Sequence, residues 1–412
     1  MTYYQLNINQ NIITPDDFLY VGSNEQKDNI LISKTLHDYL NITKTEIDFH
    51  YESWDIVKKY TNPYEYIHSQ IPNSKISVSK YKPLSRSYFK FIEMANTFSL
   101  ADCKEETLKS FHLAEGPGGF IEAMVNLRKN SNDTYYGMTL LNSDVNVPGW
   151  HKSQHFLSKN QNVIIERGSS GDGDLLNPDN LQYVHDKYKN SMEIVTGDGG
   201  FDFSIDFNQQ ETMSAKLLFA QICYALIVQK NGGNFVLKFF DTFSRASVEM
   251  IYILNVFYEN VYIVKPYTSR YANSERYVVC KKFRPTSTTH YLSTFTSILR
   301  GMSSNNYISS LLNKPIPYYF IIKMEEINAI LGQQQLETII YTLSLIQSNS
   351  KNNDNKIEQL INSNISKCSK WCLKNNINYN KMISTKNSFM ENTSIRGDHF
   401  SENKVYVNTI HK

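Results

Sequence analysis

His112-Leu113-Ala114-Glu115-Gly116-Pro117-Gly118-Gly119-Phe120 ends a short apolar run and opens a segment with helical spacing. The pattern predicts a strand over Thr107–Ala114, a tight glycine turn, and a helix over Phe120–Leu127. Such strand-to-helix turns of an α/β sheet are where nucleotide-like ligands bind. Bare glycines at Gly116, Gly118 and Gly119 let the backbone lie against a ligand, although they also suit a plain turn. The turn is not G-x-G-x-x-G, and no G-K-[ST] follows to hold phosphates, which weakens dinucleotide and ATP readings.

The same rhythm continues outward from this turn. Further apolar runs at Thr134–Leu140, Val163–Glu166, Met192–Thr196, Asn234–Phe239, Val261–Val264 and Tyr277–Lys281 bring the expected strands to seven. Helical stretches such as Met213–Val228 and Arg245–Tyr258 alternate with them, so the fold class is α/β with a mostly parallel sheet. Only 12 residues, Lys265–Arg276, join the last two strands, too few for a crossover helix, so the last strand is expected to run antiparallel. The domains expected are an irregular, partly helical N-terminal lobe over 1–80, the α/β domain over 81–285, and a mainly helical region over 286–412. That last region holds helices at Tyr318–Leu331 and Gln335–Ile346, a polar linker near 347–355 and a poorly ordered end.

Lys and Arg number 42 against 40 acidic residues, a net charge of +2, so any nucleic-acid site must be a local patch. The 28 Tyr and 22 Phe can pack in a core or stack on bases. Cys103, Cys223, Cys280, Cys368 and Cys372 are scattered without metal-ligand spacing, which implies reduced thiols and no metal site. The N-terminus lacks an apolar signal region and no apolar run approaches bilayer length, so a soluble protein with no membrane partner is expected.

Ala114-Glu115-Gly116-Pro117-Gly118-Gly119-Phe120 resembles the cofactor loop of FtsJ-like RNA ribose methyltransferases, Rossmann-like enzymes that use S-adenosylmethionine. The resemblance implies that all seven residues contact this cofactor. It places a further contact at Asp174 in Gly171-Asp172-Gly173-Asp174; read alone, that segment is a common turn before a helix starting at Asn177-Pro178. It also implies a catalytic Lys-Asp-Lys-Glu set. Lys90 lies in Ser85–Lys90, Asp198 in Thr196–Gly200, Lys238 in Val236–Lys238, and Glu275 in Asn273–Tyr277.

A ribose hydroxyl is a poor nucleophile. It must be held in line with the sulfonium methyl and lose its proton as the new bond forms. A neutral lysine amine can take that proton, but free lysine titrates near ~10.4, and poising it near ~7.5 requires about 4 kcal/mol of selective pressure on the ammonium. Burial, a second lysine and the sulfonium push in that direction, while two carboxylates push back. Lys238 is therefore assigned as the base, Lys90 as a second cation that orients the ribose, and Asp198 and Glu275 as residues that aim the lysines.

Within the family, Pro266–Lys281 is most similar to mRNA cap-specific members, which implies capped RNA as the partner and the first transcribed nucleotide as the target. Asn208, Gln210 and Asn273 then match RNA-contacting positions, although as plain chemistry such amides also cap helices. A methylated guanine is cationic and stacks on aromatic rings; Tyr51, Trp54, Tyr60, Tyr64 and Tyr66 offer rings that core packing can equally claim. The alternatives are a ribose methyltransferase acting on rRNA or tRNA, and a non-catalytic RNA-binding or scaffold subunit. Capping or transcription factors are expected partners. The Asn, Ile, Lys and Tyr bias suits a large cytoplasmic DNA virus or an AT-rich protist, so the expected site of action is the cytoplasm, a viral factory or the virion, or the nucleus if the source is cellular.

Overall fold

A computed structural model of the chain describes residues 1–25, 29–102, 106–141, 149–200, 207–304, 307–348 and 352–381. Its strands are β1 (Thr2–Gln5), β2 (Phe18–Ser23), β3 (Lys109–Leu113), β4 (Thr134–Met138), β5 (Val163–Ile165), β6 (Met192–Gly197), β7 (Gln229–Phe239), β8 (Tyr258–Lys265), β9 (Arg276–Phe283) and β10 (Tyr307–Leu312). Eight of them form one sheet in the order β1-β8-β9-β7-β6-β3-β4-β5. From β3 the chain moves outward through β4 to β5, then returns to add β6 and β7 on the other side, all parallel. This reversal leaves a crevice at the carboxyl ends of β3 and β6. β9 lies antiparallel between β7 and β8, as the short connection predicts.

The helices are α1 (Lys34–Asp48), α2 (Tyr51–Thr61), α3 (Ser87–Phe98), α4 (Gly119–Arg128), α5 (Gln154–Lys159), α6 (Pro178–Tyr188), α7 (Gln210–Val228), α8 (Arg245–Phe257), α9 (Leu292–Met302), α10 (Tyr318–Gln347) and α11 (Asn352–Lys374). α6 starts where expected, with Asn177 Oδ1 accepting from the Asp179 amide at 3.0 Å. Successive strand residues point to opposite faces, so two cores form. Phe235, Leu237 and Val278 pack with α7, α8 and α10 on one face, while Val236, Tyr277 and Val279 pack with α3, α4 and α11 on the other.

Three expectations need correction. The main sheet has eight strands rather than seven, because β1, from the supposed N-terminal lobe, pairs with β8 from Thr2↔Lys265 to Gln5↔Tyr262. The flanking regions also contribute strands to each other, since β2 pairs with β10, a strand that the reading of 286–412 as mainly helical does not include. Finally, α7 is long and apolar enough for a bilayer span, with mean hydropathy 1.3, yet 78% of that window is buried inside the protein, where it forms the central helix of one core. Cys223, Cys280, Cys368 and Cys372 are buried free thiols, and Cys103 lies outside the described residues.

Candidate active site

The turn after β3 folds tightly: Ala114 takes the left-handed conformation at φ 54° and Gly118 takes φ 101°. Ala114 and Gly116 line a cavity of about 560 Å³ at the crevice. The other glycines make room for the protein itself, which corrects the expectation that all three lie bare against a ligand. A Cβ on Gly118 would come within 2.9 Å of the Trp150 ring, and one on Gly119 would overlap the Ser87 hydroxyl. Phe120 is buried in the α3–α4 core, 4.9 Å from Phe91 between ring centroids, so its side chain does not face the cavity.

Glu115 also turns inward. Its carboxylate accepts a hydrogen bond from the Thr196 hydroxyl and lies 3.5 Å from His112 Nδ1. Burial pushes this carboxyl up, against the pull of His112 and Thr196. The indole Nε1 of Trp150 is buried without a hydrogen-bond partner beside the turn, and an unmet donor of this kind suits a ligand that carries an acceptor. Pro117 accepts from Ser153 Oγ through its carbonyl. Asp174 sits at the carboxyl end of β4, where Leu141 donates to Asp172 O at 2.6 Å, and its Oδ1 accepts from the Leu176 amide at 2.9 Å.

The four polar residues expected to act together form two adjacent ion pairs. Lys238 and Asp198 leave β7 and β6 on the α3 side of the sheet, because alternation gives them the parity of Val236 and Ile194. Lys238 Nζ lies 3.3 Å from Asp198 Oδ1 and donates to the Asp198 carbonyl at 2.7 Å. Asp198 Oδ1 also accepts from the Tyr277 hydroxyl at 3.1 Å, and its amide donates to Leu113 O at 3.3 Å, tying it to the glycine turn. Lys90, from α3, pairs with Glu275 at 2.6 Å, and Ser269 Oγ donates to Glu275 Oε1 at 3.1 Å.

Burial pushes the Lys90 ammonium down, and Arg86 adds to this against the pull of Glu275 and Asp198. Burial also opposes ionisation of Glu275, but Lys90, Lys238 and Lys265 outweigh it and hold that carboxyl well below the usual range. Asp198, Lys238 and Glu275 line the cavity, whereas Lys90 stands behind Glu275.

Of the expected RNA contacts, Gln210 and Asn273 line the cavity and Asn208 does not. Gln210 Oε1 accepts from Ser274 Oγ at 2.8 Å, which fixes its amide against the wall. Sequence reasoning missed the far wall. Lys44 from α1, Trp54 and Lys58 from α2, Gln335 and Thr338 from α10, and Tyr271 after β8 complete the cavity. Of the five N-terminal rings considered, Trp54 alone is among the lining residues; Tyr64 stacks on Tyr267 at 4.9 Å and Tyr66 is core. Nothing short of tertiary packing could have singled these residues out.

Residues 83–283, which hold the glycine turn and the lysine–carboxylate set at the switch point of this α/β sheet, match the FtsJ-like methyltransferase family. More particularly, the chain is 39% identical over 190 residues to the mouse (Mus musculus) cap-specific mRNA (nucleoside-2′-O-)-methyltransferase 1, a match covering 43% of this chain and 22% of the relative. The human (Homo sapiens) protein of that name is 37% identical over 189 residues, covering 44% of this chain and 22% of its own length. The chain thus spans only about a fifth of the length of these relatives. A solved Plasmodium falciparum structure, described as a ribosomal RNA methyltransferase, aligns at 17% identity and a TM-score of 0.35, covering 48% of this chain and 97% of its own.

Proposed function

We propose that the chain is a cap-specific mRNA 2′-O-methyltransferase that methylates the first transcribed nucleotide of capped RNA. The observation that carries this reading is the convergence of Lys238, Asp198 and Glu275 in one cavity with Ala114 and Gly116 of the glycine turn, with Lys90 paired to Glu275 from behind. The names of the relatives support the cap and the 2′ position. The residues present fit S-adenosylmethionine: Ala114 and Gly116 offer a close backbone approach, while Trp150 Nε1 remains as an unmet donor. When bound, that cofactor supplies an electrophilic methyl group and departs as a neutral thioether.

The chain supplies position and proton transfer. A neutral lysine has two N–H donors and one lone pair. Asp198 offers two acceptors to Lys238, its carbonyl at 2.7 Å and its carboxylate at 3.3 Å, which leaves the lone pair for a hydroxyl in the cavity. As the ribose oxygen bonds to the methyl carbon, its proton passes to Lys238 Nζ. Lys90, fixed by Glu275, adds positive charge near the developing oxyanion. The far wall supplies what a 5′ end requires: the Trp54 and Tyr271 rings suit a base, and the cations Lys58 and Arg270 suit phosphates.

The test compares methyl transfer to one oligonucleotide made with a methylguanosine cap and with a bare triphosphate, followed by mapping of the modified ribose. Transfer restricted to the capped RNA at its first nucleotide is expected. Equal transfer to uncapped structured RNA would move the enzyme to the rRNA or tRNA class, and cofactor binding without turnover on any RNA would leave a scaffold.

A further inference from the structure

Two buried lysines, Lys44 and Lys265, take no part in the proposed proton transfer, and Lys44 is paired with Asp241. Lys265 ends β8, is 5% exposed and is not a lining residue of the cavity, yet its ammonium is fully engaged. It donates to Asn273 O at 2.7 Å, Asn273 Oδ1 at 2.8 Å and Glu275 O at 2.6 Å. Three N–H groups therefore meet three oxygens, all from the loop between β8 and β9. That loop supplies Arg270 to Glu275 to the cavity wall and carries the partner of Lys90. Two carbonyls and an amide oxygen pointing at one spot would repel one another without a cation between them.

We propose that Lys265 is a positioning residue that holds the β8–β9 loop in its RNA-binding form, setting Asn273 toward the substrate and Glu275 toward Lys90. The role in RNA binding rests on the function proposed above; the role in loop order does not. Lys90 and Lys265 divide the work on Glu275: Lys90 takes its carboxylate and Lys265 its carbonyl.

The groups facing the ammonium set its proton affinity. Burial lowers it to about 7; Glu275 and Asp241 oppose that, while Arg276 and Lys90 add to it. A neutral amine has only two N–H donors, so loss of the proton turns a lone pair toward one of the three oxygens. Loop order should therefore weaken as pH rises.

The test replaces Lys265 by Met, which keeps the stem and removes the donors, and by Arg, which keeps the charge. Amide hydrogen exchange over residues 270–275 reads loop order, and methyl-transfer kinetics read its consequence. In Lys265→Met, exchange should speed up at least about tenfold and kcat/KM for RNA fall by a similar factor, with S-adenosylmethionine affinity held within about twofold. Lys265→Arg should recover part of both losses. Unchanged exchange in a folded Lys265→Met protein overturns the proposal. If the wild type methylates no capped RNA, the proposed function fails while the exchange result still decides the role of Lys265. Should Lys265→Met not fold, wild-type exchange corrected for its intrinsic pH dependence replaces it. Protection at 270–275 is then expected to fall about tenfold between about pH 6 and about pH 9 while β3 stays constant, and a flat profile overturns the proposal.

Discussion

At the scale of single residues, Lys238 is the only lysine of the two ion pairs proposed for catalysis that reaches the cavity, so its loss is expected to be the most damaging to turnover. Lys238→Ala should lower single-turnover methyl transfer by about 10²- to 10⁴-fold. Equilibrium dialysis should find S-adenosylmethionine still bound, because the amine touches Asp198 rather than the glycine turn. Gly118→Val should do the reverse. It forces a β-branched residue to φ 101° and drives its Cβ into Trp150, at a cost of about 1–3 kcal/mol. Calorimetry should show weakened cofactor binding, and shortening Trp150 in the same protein should restore part of it. That Lys90, Asp198, Lys238 and Glu275 belong together was an expectation of the family resemblance, and the structure brings them together as two ion pairs. The purpose of Gly118 and Gly119 could not be read from the sequence, since their respective partners Trp150 and Ser87 each lie 32 residues away in the chain and only folding brings them to the turn.

Among elements, the apolar runs located β3 to β9 but began β7 five residues and β8 three residues late, and β9 was placed antiparallel from loop length alone. α10 was less legible. Its sequence reads as two segments that break around Gly332, yet one helix runs through. A Cβ at Gly332 would meet Leu36 at 2.7 Å, so the glycine serves the close approach of α1 and α10 instead of ending a helix. β1 escaped notice because four residues at a sheet edge carry little periodic signal. These elements are joined by buried charge. Lys44 of α1 meets Asp241 at 2.8 Å, Arg276 of β9 meets Asp241 at 3.2 Å, and Arg276 donates to Asn328 of α10 at 2.8 Å. Asp241→Ala would leave two cations buried without their carboxylate, so denaturant unfolding should show a loss of about 3–5 kcal/mol.

For the molecule as a whole, acid should be more damaging than mild base. Burial opposes ionisation of Glu65, Asp241 and Glu275, but their cationic partners outweigh it and hold all three below the usual carboxylate range. A carboxyl depressed in the folded state contributes stability that is complete above its unfolded value, near 4, and is lost as pH falls toward the folded one. Thermal unfolding should therefore stay nearly level down to about pH 5 and fall steeply below about pH 4, and Glu65→Gln, which removes one of the three, should shallow that slope. The family-matched residues 83–283 are also expected to fail alone. Without β1, α1, α2 and α10 the sheet gains a bare edge and the cavity loses its far wall. A fragment of that span should give poor far-UV dichroism signal and no methyl transfer.

The buried Lys44–Asp241–Arg276–Asn328 chain bears on heredity as well as on stability. A crossover near residue 80 parts Lys44 from Asp241, and one near 285 parts Arg276 from Asn328, so chimaeras between homologues joined at those points should lose thermal stability unless both parents carry these partners. The heritable unit is then wider than the segment in which kinship is visible.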